Sequence, residues 1–589
     1  MDHAVSEPAE ELRAPRVKAW SSTRSLVLLT AATLLCLLPF SGKAFHIDDP
    51  LFLWSAQHIV RHPLDPYGFQ LNWYGWQMSM SEVTKNPPLA CYYAAAIGAL
   101  AGWSERALHL GFLLPALLMV LGAYRLAQRF TQSPLIAAAA TLLTPGVLVS
   151  ACSVMCDTMM LAFWIWAVIF WLEGLDSGKH HLLLVSSVLI GAAALTKYFG
   201  ICLVPLLFAY SFARQRRLGA WAWYLALPIA LLAGYQFWTH GLYQHGMFSE
   251  ALTYAPQRVS GFRYVIVFYP LVAASFVGGC ALSALTLAPL VWSRKYILIA
   301  LLLEVAAFAA VWAIFGQSLR ATHTGKVLEQ HWGIIGPQLV LFVASGLSVL
   351  ALAAVDLWKL RDADSLLLAL WVLGTFLFTA FLNWTVNARS VLPLIPAAGI
   401  LLARRLDALG IAVLKPLQWK VAAALAVSGA VSFCVAQADA DWANSARQMA
   451  SVIREQTKNE AGAVWFQGHW GFQYYMQQLG MVPFDLDLTA FHPGDLLIAP
   501  MGDLVALPPP ARVVASEDQL ETRLRLPVVT MRAGIEAGFY ASVYGSLPFV
   551  FGEVPTNQYK LFRIAAPVRT RCGASPSNPT DRSCTWVPN

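Results

Sequence analysis

Charge is what this chain of 589 residues has least of: Asp, Glu, Lys and Arg make up 12% of it, about half the share usual in soluble domains. With 58% hydrophobic residues, that scarcity excludes an ordinary soluble globule and points to a membrane protein. The net charge is +7, but the Lys and Arg sit in small groups at segment ends. No basic stripe of the kind nucleic acid requires is present, so a nucleic-acid partner is excluded. The chain also has no Gly-rich phosphate loop, no Walker motif and no G-x-S-x-G, which leaves ATP-driven transport and serine hydrolysis without support. Of the nine Cys, residues 36, 91, 152, 156, 202, 280 and 434 lie in or beside apolar runs without metal-ligand spacing and read as small buried hydrophobes. Only Cys572 and Cys584 lie in polar surroundings, twelve residues apart, where an oxidising compartment allows a disulfide.

What the chain has in abundance is long apolar runs. A hydrocarbon core of about 30 Å takes about 20 apolar residues per helix, and such runs recur from Leu26 to Val435. Split at charges and turn residues they give about eleven to thirteen spans, near 25–42, 107–127, 134–150, 159–172, 182–196, 199–213, 221–238, 264–290, 296–316, 335–355, 365–382, 390–403 and 419–436. Residues 1–24, polar and carrying Arg13, Arg16, Lys18 and Arg24, form a cytoplasmic tail before an uncleaved anchor. The organisation expected is thus a tail over 1–24, a transmembrane domain over 25–436 with a long first outer loop at 43–105, and a soluble domain over 437–589. In that last part, AVWF, DLLIAP, RVVAS and PVVTM read as strands and Phe472–Leu479 as a helix, giving a small mixed α/β domain. The closing CGASPSNPTDRSC is expected to lack regular structure.

Lys and Arg concentrate in cytoplasmic loops. With the N-terminus inside, Arg125, Arg129, Lys179, Arg214, Arg216, Arg217, Arg294, Lys295, Lys359, Arg361, Arg404, Arg405 and Lys415 all fall on the cytoplasmic side. The other polar groups, Asp48–Asn86, Asp157, Lys197, His240–Arg263, Gln317–Trp332 and Asn383–Arg389, fall outside with the C-terminal domain.

Each of these polar groups has a bland reading. Asp48 and Asp49 in FHIDDPLFLW can be a helix cap before a first-turn proline. That explains one acid; two acids at an apolar surface raise one another's pKa, which suits a general base or a divalent cation. Asp157 in SVMCDTMMLAF can cap its span, yet the topology brings it to the same side. Lys85, Lys197 and Arg389 can be interfacial anchors or phosphate ligands. His240, His245, His323 and His331 read as loop histidines. Glu304 lies within a span, where an acid is functional unless packed and protonated.

In order and on one side, the acidic pair, the Lys-x-Pro-Pro-Leu segment (Lys85, Pro87, Pro88, Leu89), Asp157, Thr-Lys-Tyr-Phe-Gly and an Arg before Leu-Pro-Leu-Ile-Pro resemble the polytopic GT-C glycosyltransferases. The resemblance is strongest to family 39, the protein O-mannosyltransferases and the aminoarabinose transferase of lipid A. The tail stretch FQGHWGFQYYMQQLG is similar to one found in bacterial members. The resemblance implies a multi-pass protein of a bacterial inner membrane. It also implies a polyprenyl-phosphate sugar as donor, chemistry on the outer face, and a hydroxyl acceptor on a glycan, lipid or protein. It makes Asp48 the catalytic carboxylate, Asp49 its neighbour and Asp157 a second acid, with Lys85, Lys197 and Arg389 near the donor phosphate; any divalent metal would sit at Asp48 and Asp49. The competing expectation is a transporter or flippase for a lipid-linked sugar. Its mark, charges at broken helices in both halves of an internal repeat, is not seen in the sequence.

Overall fold

The computed structural model describes residues 23–256, 262–320, 322–411, 415–501, 506–573 and 584–588. The N-terminal tail up to residue 22 and the Pro/Ser-rich segment 574–583 lie outside the described residues. Among those described, seven helices are long and apolar enough to cross a membrane, and nine spans result if two bent helix pairs each count as one. This is fewer than the eleven to thirteen expected. The shorter apolar runs break up: the 134–150 run bends by 63° between Pro134–Leu142 and Pro145–Ala151, and the 264–290 run bends by 86° before Ser283–Val291. His180–Thr196 and Leu89–Ala101 are apolar but short. Prolines at helix starts and interrupted hydrogen-bond ladders are the local cause.

Charge separates the two ends of the bundle. In the helix Cys156–Ser177, Asp157 lies in the first turn, and Asp176 is about 29 Å further along the axis at a rise of about 1.5 Å per residue. At that far end Arg129 pairs with Asp176 and Asp364, Arg214 with Asp176, and Arg404 with Asp356. These ties gather the loops whose positive charge set the expected topology. Asp407 accepts from the Gln132 amide (2.8 Å) and the Ser133 hydroxyl (2.6 Å), fixing another turn at its helix end.

The last span does not stop at 436. Its helix runs from Lys415 to Thr457, so the expected boundary at 436/437 falls inside one continuous element. Beyond it lies a five-stranded mixed sheet. Val464–Phe466 pairs in parallel with Val482–Pro483 and Leu496–Met501, and Asn557–Ile564 pairs antiparallel with Leu496–Met501 and Val514–Thr522. The strand-like runs AVWF, DLLIAP and RVVAS contribute three of these strands. The helix Trp470–Gln478 covers the sheet with Phe472 and Met476 buried. Cys572 and Cys584 form a disulfide that closes the hairpin of Val568–Cys572 and Cys584–Pro588.

This region docks against the segment after the first helix. Gly471 has no room for a side chain, since a Cβ there would stand 2.2 Å from the Phe45 carbonyl oxygen. Four residues on, the Tyr475 hydroxyl accepts from the Phe45 amide at 2.8 Å. The stretch FQGHWGFQYYMQQLG is therefore a clamp on the strand of chain that leads into Asp48.

Candidate active site

Asp48 occupies the N-cap position of the helix Asp49–Arg61, with Pro50 in its first turn, but its side chain makes no capping bond. It turns instead to Arg389, whose Nη1 donates to Oδ2 at 2.8 Å. The residue before it, Ile47, has φ +51°. A β-branched residue in the left-handed region stores about 1–3 kcal/mol of strain that its surroundings must hold.

Asp49 does the holding. It is 0% exposed; Oδ2 accepts from the His46 amide at 2.8 Å and Oδ1 from the Val154 amide at 2.9 Å. The first bond closes the turn that contains Ile47. The second ties that turn to the segment just before the helix Cys156–Ser177, and hence to Asp157. Burial pushes the Asp49 carboxyl up to about 7, against the opposing pull of Lys43 and the two amides. The two acids, adjacent in sequence, point to different surroundings. Asp49 accepts from two amides, and Asp48 faces a guanidinium. Among the described residues no group of three or more His, Cys, Asp or Glu side chains is placed to hold a metal ion.

Asp157, buried in the first turn of its helix, accepts from Lys197 Nζ at 2.5 Å. Lys197 stands where the helix His180–Thr196 ends in extended backbone (φ −152°, ψ 129°) before the 3-10 turn Tyr198–Cys202. Gly200 makes this reversal possible, because a Cβ there would lie 2.3 Å from the Ala193 backbone. Thr-Lys-Tyr-Phe-Gly is thus a helix stop that presents a lysine sideways.

The two ion pairs meet. Arg389 Nη1 also reaches Met155 Sδ at 3.1 Å, two residues from Asp157. The Asp48 and Asp157 charges both hold the buried Arg389 guanidinium further toward its charged form, outweighing burial. The charge of Asp48 is also felt at Tyr74 and Tyr254, whose hydroxyls burial already pushes up, Tyr254 to about 12. Lys85 lies over the Tyr254 ring, 5.5 Å from its centroid, and pairs with Glu250, which also contacts His245 at 2.9 Å. Lys85, expected near the phosphate, therefore borders the cluster through Tyr254 and already has a carboxylate partner. Of the six residues singled out in sequence, Asp48, Asp157, Lys197 and Arg389 form the centre, Lys85 its edge and Asp49 its foundation. Glu304 takes part in none of these pairs.

Sequence reasoning missed a second set of residues. Lys43, beside the first helix, donates to Asp439 Oδ2 at 2.6 Å, with both side chains almost wholly buried. Asp439 also accepts from the hydroxyls of Tyr540 (2.9 Å) and Thr530 (3.1 Å). His46 lies 3.9 Å from the same carboxylate, edge-on to Trp442 and Tyr540, and burial holds it neutral with a pKa of about 3. The only sequence signal was an Asp-Ala-Asp stretch, Asp439 and Asp441, just after the expected end of the last span.

A bundle of broken and continuous spans, with a carboxylate–guanidinium pair beside a carboxylate–lysine pair and a C-terminal mixed sheet, is GT-C-like in fold. Residues 85–238 match the family model of dolichyl-phosphate-mannose-protein mannosyltransferases. In fold the chain is similar to ArnT from Cupriavidus metallidurans bound to undecaprenyl phosphate, with 15% identity, 82% of this chain and 94% of that one covered, and a TM-score of 0.50. At lower scores it superposes on the oligosaccharyltransferase of Archaeoglobus fulgidus in the apo form (12% identity, 79% and 65% covered, TM-score 0.47). The Saccharomyces cerevisiae Pmt1–Pmt2 complex bound to the sugar donor matches over a smaller part (13%, 43% and 37%, TM-score 0.30). No curated protein sequence matches the chain.

Proposed function

We propose that the chain catalyses inverting transfer of a sugar from a polyprenyl-phosphate donor to a hydroxyl acceptor at the non-cytoplasmic face of a bacterial inner membrane. The observation that carries this reading is the meeting of the Asp48–Arg389 and Asp157–Lys197 pairs, with the Arg389 Nε buried and unpartnered among the described residues. A guanidinium has five N–H donors in a fixed fork that matches phosphate oxygens. Here one of its arms is spent on Asp48 and another is left for a ligand.

The residues then divide the work. Arg389 and Lys197 receive the donor phosphate and stabilise the negative charge that grows on it as the sugar–oxygen bond breaks, in a setting where water is scarce. Lys85 supplies further positive potential from the edge. As the phosphate draws Arg389, Asp48 is freed to take the proton of the attacking hydroxyl. Its Oδ1 has no hydrogen-bond partner among the described residues and is available to an acceptor. Attack opposite the leaving phosphate inverts the anomeric centre. Asp157 orients Lys197, and Asp49 holds the strained turn that aims Asp48. The undecaprenyl phosphate in the ArnT structure supports a lipid-phosphate donor. The disulfide in the C-terminal region and the positive charges collected at the opposite end support the outer face for the site.

Mass spectrometry of envelope glycolipids and glycoproteins from cells with and without the protein tests this reading. One class of acceptor should lose a single pentose- or hexose-sized increment, and Asp48→Asn should reproduce that loss; unchanged glycoconjugates would remove the transferase assignment.

A further inference from the structure

The C-terminal region reaches the charge cluster directly. The Phe539 carbonyl accepts from the Ala388 amide at 2.8 Å, the Val386 carbonyl accepts from the Ser542 amide at 2.8 Å, and the Ser542 hydroxyl accepts from the Val386 amide at 3.1 Å. Residues 539–542 are thus zipped to the short segment that carries Arg389. Between those bonds stands Tyr540, wholly buried. Its ring lies 5.8 Å from the Arg389 guanidinium carbon, and its hydroxyl donates to Asp439, whose carboxylate Lys43 and Thr530 also hold. Burial and the Asp439 charge keep that hydroxyl protonated, far above its ordinary value.

We infer that Tyr540 is a positioning residue for donor binding: anchored at its hydroxyl by the buried Asp439, it fixes with its ring the guanidinium that receives the donor phosphate. This rests on the proposed function and names a component of that same site outside the helical bundle. Arg389 has a flexible stem, and only Nη1 is tied down among the described residues, to Asp48 and Met155. When the phosphate competes with Asp48 for the guanidinium, that tether weakens. The aromatic face remains, and it favours a cation in a desolvated place without competing for its N–H donors. Asp439 prevents the ring from following the arginine, because its carboxylate is held from three elements: Lys43 beside the first helix, and Thr530 and Tyr540 from the C-terminal region. The C-terminal region is then part of the transferase centre.

The test uses the full-length protein in detergent and undecaprenyl phosphate as the probe, with dissociation constants for wild type, Tyr540→Leu, Tyr540→Phe, Arg389→Ala and the Arg389→Ala/Tyr540→Leu double variant. Tyr540→Leu should weaken binding by about tenfold, and Tyr540→Phe, which keeps the ring but loses its anchor to Asp439, should recover only part of that loss. In the Arg389→Ala background Tyr540→Leu should cost nothing further, because the residue acts through the arginine. A merely structural role lowers thermal stability equally in both backgrounds and gives no such coupling. Wild-type affinity for Tyr540→Leu, or the same loss with and without Arg389, overturns the inference while leaving the transferase reading intact. Failure of the wild type to bind undecaprenyl phosphate overturns both.

Discussion

Asp48 and Asp49 are neighbours with opposite fates. The buried one spends both oxygens on backbone amides, and the half-exposed one leaves its cap unmade to meet Arg389. Substituting each should therefore fail differently. Asp48→Asn should lower turnover by about 10²–10⁴-fold while leaving the melting temperature near wild type, since a general base is lost and no core contact is. Asp49→Asn should cost about 1–3 kcal/mol of stability, because an amide offers one acceptor where two N–H groups need one each. Thermal unfolding and transfer rates on the same preparations check both. Since Asp49 is occupied and Asp48 faces a guanidinium, chelators should leave transfer unchanged; a rate restored only by a divalent cation would show that a metal binds elsewhere.

At the scale of the elements, the site is made by interruptions. The helix His180–Thr196 stops at Lys197 because Gly200 lets the backbone fold against Ala193. Gly200→Ala should move Lys197 away from Asp157 and raise the donor KM by about tenfold or more, seen in a titration of donor against initial rate. The elements around Asp48 also set a dependence on pH. Neutral His46, with a folded value of about 3 against 6.5, adds stability that is complete above 6.5 and is lost as pH falls toward 3. Asp49 and Glu536, both raised by burial to about 7, act the other way: each adds stability below its ordinary range and loses it as pH rises through 7. These three together predict a melting temperature that is highest near pH 4 and falls as pH rises from there to 7, because two raised acids outweigh one lowered histidine. Glu536→Gln should flatten the fall above it, since a glutamine still accepts from the Ser546 amide.

Across the whole molecule, the features legible in sequence were those with short-range or charge-bias signals. Alternating apolar runs announced the membrane domain, and AVWF, DLLIAP and RVVAS announced strands. The Lys and Arg bias put Asp48, Asp157, Lys197 and Arg389 on one side before their ion pairs were visible. The span count was not legible, because a run of about 15 apolar residues has the same composition whether it crosses, bends or stops short. Nor was the Lys43–Asp439–Tyr540 network: Lys43 looks like one more charge at a segment end, and its partners are brought in by the helix that passes through position 436 and by the folded C-terminal region. Reduction of Cys572–Cys584 should loosen the terminal hairpin while the clamp at Gly471 and Tyr475 holds, so transfer should survive dithiothreitol that proteolysis of the hairpin reveals. The central claim is that Asp48, together with the cations around Arg389 and Lys197, works on a lipid-phosphate sugar. Its most direct test is transfer from a labelled polyprenyl-phosphate sugar to an envelope extract by the purified protein in lipid. Wild type should transfer label and release polyprenyl phosphate, with Asp48→Asn slower by at least about a hundredfold; equal rates for the two proteins would contradict the account.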